Sequence, residues 1–168
     1  CQGGCLGFDG RVVNARDGET YEKIVKDKQG KLVVLEDLVG AIWQGRPSFP
    51  ENPAFVLEEK YAGESVQSKL RRVREKMKEK QADIHILTSL YDIAWLFNVR
   101  GGDIAHVPVV MSFAAITMET CVWFVHSNVL NDEVCRYCEQ NHISIREYDA
   151  VYEYAENIPA KKRVLLNK

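Results

Sequence analysis

Asn98, Arg100, Asp103 and His106 place an amide, a guanidinium, a carboxylate and an imidazole in and just after the stretch NVRGGD at 98–103. A guanidinium is a rigid fork of donors that matches a carboxylate or a pair of carbonyls, and a polar turn after a buried helix can carry it into a neighbouring site. Two uses of Arg100 follow. It orients a substrate or braces a domain interface, or it and Asp103 tie their own loop together. Ser89, Asp92 and His85 or His106 supply the residue types of a hydrolase triad, but no G-x-S-x-G elbow presents the serine. Ser89 suits the N-cap of a following helix better, with Asp92 in the first turn, where a carboxylate is favoured by the helix dipole.

Cys135-Arg-Tyr-Cys138 has C-x-x-C spacing, and Cys1 and Cys5 form a second pair. The first pair falls inside a helical pattern rather than on a knuckle turn, and the two pairs belong to different segments, which disfavours zinc or redox use. The glycines of 3–7, followed by Gly10, could cradle phosphate only after a strand and before a helix, and they read as a flexible end instead. His85, His106, His126 and His142 stand singly, without the paired spacing that a metal centre needs, so the expected metal ligands and catalytic residues of this segment are none.

The elements that must hold the polar turn can be read from periodicity. Val66, Leu70, Val73 and Met77 recur at helical spacing, predicting an amphipathic helix over 64–81 whose Lys/Arg face, from Lys69 through Lys80, is solvated. A strand at 83–88 and a short helix at 90–97, with Ile93, Trp95 and Leu96 inside, lead into the turn. Two β-rich runs at 108–118 and 120–126 predict an antiparallel hairpin, followed by a helix at 131–140, a strand at 143–148, a helical turn at 152–156 and a strand at 163–167. Upstream, short strands or turns around Leu6, Phe8 and Val12-Val13 precede a helix at 18–28, a buried strand at 31–36 and a short helix with Asp37 as N-cap. Pro47, Pro50 and Pro53 then mark a boundary. Trp43, Trp95 and Trp123 are expected in the core. Strands alternating with helices, plus one hairpin, predict an α/β fold with a mixed sheet flanked by helices.

The 168 residues are 46% hydrophobic and 27% charged, enough chain for one full domain or a domain plus a remnant. A formal net charge of -2 gives no electrostatic footprint for nucleic acid. No apolar run approaches the roughly eighteen residues of a spanning helix, predicting a soluble chain with no membrane partner. Five scattered cysteines favour a reducing, cytoplasmic compartment. The chain does not begin with Met and reads as cut from something longer.

The string SLYDIAWLFNVRGGDIAHVPVV at 89–110 resembles the second domain of aminopeptidase P (Xaa-Pro aminopeptidase) enzymes, and DLVGAIWQGRP at 37–47 resembles the end of their first domain. The resemblance implies a creatinase N-terminal-domain-like fold, with 1–49 a remnant of a first such domain and 50–168 a second. It also implies a parent metallopeptidase that removes the residue before proline, acting through two divalent metal ions, manganese by expectation, held in a catalytic domain this segment lacks. The expected role here is non-catalytic, shaping active-site access and interdomain or homodimer contacts, with Asn98, Arg100, Asp103 and His106 touching substrate or interface. A stand-alone binding or oligomerisation module is the alternative, and a small zinc or redox protein a third.

Overall fold

The computed structural model describes residues 2–34 and 37–166, so Cys1 and the outer ends of the strands expected at 31–36 and 163–167 lie outside the described residues. The chain divides into two compact units between Phe49 and Pro50.

In the first unit, β1 (Cys5–Gly7) pairs in parallel with β2 (Lys31–Val33), and Cys5 stands opposite Lys31. The glycine-rich start is therefore not a loose end: Gly3 N donates to Lys28 O at 2.8 Å and Lys31 N to Gly4 O at 2.9 Å. Between the strands, α1 (Ala15–Asp27) starts earlier than its apolar pattern suggests because Asn14 caps it, its side chain accepting from Asp17 N at 2.9 Å. Asp37 caps α2 (Leu38–Ile42) as expected, accepting from Gly40 N at 2.7 Å. No described residue before Pro50 is buried. This corrects the expectations of a buried strand and of a core position for Trp43, which is 51% exposed.

The second unit is a mixed five-stranded sheet in the order β8-β7-β6-β4-β9 with helices on both faces, the α/β layer expected from the sequence. Its strands are β4 (Ile84–Leu87), β6 (Ser112–Thr117), β7 (Cys121–Val125), β8 (Ser144–Arg146) and β9 (Val164–Leu165), with β6 and β7 forming the predicted hairpin. Side chains alternate across a strand, and the core divides accordingly. Ala114, Ile116, Trp123 and Val125 meet α4 (Val66–Glu79), α5 (Leu90–Phe97) and α6 (Asp132–Gln140), whereas Ala115 and Phe124 meet α7 (Ala150–Glu156). Burying a large apolar side chain in this way contributes about 1.5–3 kcal/mol each. No helix among the described residues is long and apolar enough to cross a membrane.

Two elements escape periodicity. The helix α3 (Glu59–Ala62) is a single turn closed by Gly63 at φ 77, a left-handed value that glycine adopts without strain. A two-stranded antiparallel pair joins β3 (Phe55–Val56) to β5 (Val99–Arg100), so the segment expected to be a turn at 98–103 begins as a strand.

Candidate functional site

The end of α5 organises the polar segment. Ser89 caps its start, its hydroxyl accepting from Asp92 N at 3.4 Å, and Ile93, Ala94, Leu96 and Phe97 face the core. Trp95 does not. It is 41% exposed, because the position lies on the opposite side of the helix from Ile93 and Phe97. Its ring is instead flanked by cations, with Lys69 Nζ 4.9 Å and Arg72 Cζ 5.8 Å from the centroid.

The last carbonyls of a helix lack internal donors, and α5 has no basic residue in its final turn. Two cations from elsewhere supply the need. Arg100 Nη1 donates to Ala94 O, and Lys69 Nζ donates to the next carbonyl, Trp95 O, at 2.8 Å. Positive charge at a helix C-terminus is also favoured by the macrodipole.

Asn98 closes the helix in the left-handed region at φ 52, a conformation that asparagine tolerates better than most residues. It is buried and fully engaged. Its Oδ1 accepts from Lys69 Nζ at 2.5 Å, its Nδ2 donates to Glu64 O at 2.9 Å and its carbonyl accepts from Leu57 N at 2.8 Å. Lys69, only 1% exposed, is thus a structural cation and not part of the solvated face expected for it. Burial lowers its pKa, partly opposed by Glu64, while Arg100 and Arg72 add to the lowering. Among the described residues no carboxylate lies within ion-pair distance of it. The signal was present in the sequence: Lys69 falls three residues after Val66 and four before Val73, inside the apolar stripe. Arg74 likewise leaves the solvated face to clamp the β6–β7 turn, donating to Thr117 O at 3.0 Å and Thr120 O at 3.3 Å.

In β5 the side chains alternate, so Val99, opposite Val56, is buried while half-buried Arg100, opposite Phe55, points to the other side. Both hydrogens of Nη1 are used, one on Ala94 O and one on Val99 O at 3.0 Å. The Nε–Nη2 edge has no acceptor among the described residues. That edge is a side-on fork of the kind that binds a carboxylate. Burial lowers the pKa of Arg100, but a guanidinium stays charged at any physiological pH.

Gly101 follows because nothing larger fits: a Cβ there would lie 2.6 Å from Val110 Cγ2 and 3.2 Å from Val109 O. Asn52 Nδ2 holds Gly102 O at 2.9 Å. Asp103 Oδ2 accepts from Met111 N at 2.8 Å, whereas its Oδ1 is buried with no hydrogen-bond partner among the described residues. His106 stands apart at an exposed position with φ 63, and no hydrogen bond among the described residues joins it to the other three. Arg100 and Asp103 therefore do tie their own backbone, while each retains unused hydrogen-bonding capacity.

Elsewhere the candidates separate. Cys138 is buried and Cys135 exposed on α6, and the histidines are dispersed. Among the described residues no group of three or more His, Cys, Asp or Glu could hold a metal ion.

A mixed sheet with helices on both faces, carrying a buttressed arginine turn after α5, defines a three-layer α/β domain. The chain belongs to the Creatinase/Prolidase N-terminal domain family, whose model matches residues 45–168. It is 35% identical over 156 residues to the probable Xaa-Pro aminopeptidase P of Coprinopsis cinerea, an alignment covering 92% of this chain and 25% of that protein. It is 38% identical to aminopeptidase P1 of Lotus japonicus, covering 87% of this chain and 22% of the relative. The crystal structure of X-prolyl aminopeptidase from Caenorhabditis elegans, described as a cytosolic enzyme with a di-nuclear active site, matches with a TM-score of 0.88 at 28% identity. That match covers 94% of this chain and 26% of the worm enzyme. The chain thus spans about a quarter of the length of the proteins it resembles.

Proposed function

We propose that this chain is a non-catalytic N-terminal segment of an Xaa-Pro aminopeptidase, in which it shapes access to the active site and contacts the catalytic part or a partner subunit. The observation that carries the proposal is the Nε–Nη2 edge of Arg100, held in place by Nη1 and left with donors to spare, in a turn where Asp103 Oδ1 also lacks a hydrogen-bond partner among the described residues. Arg100 makes the contact, to a carboxylate or to carbonyls beyond this chain, while Asn98 and Asp103 shape the turn and His106 lies at its exposed end. The chemistry of the parent belongs to two divalent metals, manganese in our reading, bound by residues outside this chain.

The relatives' greater length and the worm enzyme's description support that division of labour and a cytoplasmic parent, and a homodimer is part of our reading. The first unit is read as the remnant of a first creatinase-like domain, consistent with its parallel strand pair. Parallel sheets are ordinarily covered on both faces, and this one has no buried residue.

Hydrolysis of Arg-Pro-Pro with added manganese tests the proposal. The 168-residue chain is expected to be inactive and the full-length gene product active. Arg100→Gln in the full-length enzyme is expected to lower kcat/KM by about tenfold or more. Activity in the short chain would overturn the assignment of the chemistry, and wild-type kinetics for Arg100→Gln would overturn the role of the turn.

A further inference from the structure

We infer that Lys69 is a positioning residue for Arg100: its ammonium, buried beneath the end of α5, fixes the turn from which the guanidinium is aimed. This rests on the contact role proposed for Arg100. Lys69 and Arg100 grip consecutive carbonyls of the same helical turn, Trp95 O and Ala94 O, so a shift in one grip is felt in the other. Lys69 also holds Asn98 Oδ1, on the residue whose left-handed backbone sets the direction of β5. Without the ammonium, Trp95 O and Asn98 Oδ1 lose their donor, and a buried acceptor without a donor drives local rearrangement. An apolar side chain would suit the surrounding stripe of Val66, Leu70 and Met77. Because those two acceptors remain when the lysine alone is replaced, the change is expected to cost stability as well as orientation, and both are therefore measured. A misplacement of about 1 Å at a reacting site can cost about 100-fold in rate.

The test uses the full-length enzyme with Lys69→Met, Asn98→Gly, Arg100→Gln and the Lys69→Met/Arg100→Gln double variant, each assayed for KM, kcat and unfolding midpoint. Asn98→Gly keeps the left-handed backbone accessible while removing the atom that Lys69 holds, and it decides the matter should Lys69→Met fail to fold. Both single changes are expected to reproduce the KM and kcat pattern of Arg100→Gln. The double variant is expected to fall within about threefold of Arg100→Gln alone, the signature of coupled residues. Losses that multiply in the double variant, or wild-type kinetics for Asn98→Gly beside an impaired Arg100→Gln, would overturn the positioning role and leave the contact reading standing. Wild-type kinetics for Arg100→Gln would instead overturn the contact reading itself.

Discussion

Burial sorts the cysteines chemically: Cys5 and Cys135 are exposed, whereas Cys121 and Cys138 are enclosed and their thiols are pushed up to about 12 by loss of hydration. The thiolate is the reactive form, so a disulfide reagent at neutral pH should label Cys5 and Cys135 and reach Cys121 and Cys138 only after unfolding. The same burial, with Tyr137 and Tyr148 also raised to about 12, makes the fold base-sensitive. These groups keep protons in the folded state that the unfolded chain releases above the ordinary values of 9.0 and 10.0. The folded state then binds more protons, so stability is fully present below about pH 9 and declines as pH rises toward 12. Denaturant titrations at neutral pH and above pH 10 should show the midpoint falling. At this scale the polar turn was singled out by its motif, whereas Lys69 was read as solvated although its place between Val66 and Val73 already put it inside the apolar stripe. What the stripe does not disclose is that Trp95 O and Asn98 Oδ1 converge on it.

Longer elements were the legible ones. The stripe of α4 and the hairpin β6–β7 have enough repeats for a period to show, and their caps and turns carry the expected residue types. The pair β3–β5 was hidden because two-residue strands have no period, and its partners lie far apart in the chain. Trp95 was misplaced because nearly every position of the eight-residue α5 is apolar, so no polar face marks which side turns outward. The closeness of the chain at Gly101 carries a prediction for this junction. Gly101→Ala would push a methyl group into Val110 and the Val109 carbonyl, and is expected to destabilise the domain by about 1–3 kcal/mol as overpacking does. Thermal unfolding checks it, with Gly102→Ala as control. The Cβ of Gly102 would meet only ordinary contacts to Asn52, and that change should be nearly silent.

At the scale of the molecule the two units differ in kind. Pro50–Asn167 has a two-sided core, whereas no described residue ahead of it is buried and Val39, Ile42 and Trp43 remain largely exposed. Hydrogen exchange should reflect this, with amides of β4, β6 and β7 protected to near the global limit and those of α1 and α2 exchanging far sooner. A stable first unit in this 168-residue chain would contradict the remnant reading. Composition and alternating elements announced an α/β layer, but they could not disclose how little of the first unit would be covered, since exposure depends on neighbours that a pattern does not name. The five-stranded sheet ends on β8 and β9, strands of three and two residues, with Arg146 and Val164 on their exposed positions. Such stubs offer an incoming chain almost no continuous ladder to extend, so crowded solutions of this domain should resist edge-to-edge fibre growth even though its central strands are strongly apolar.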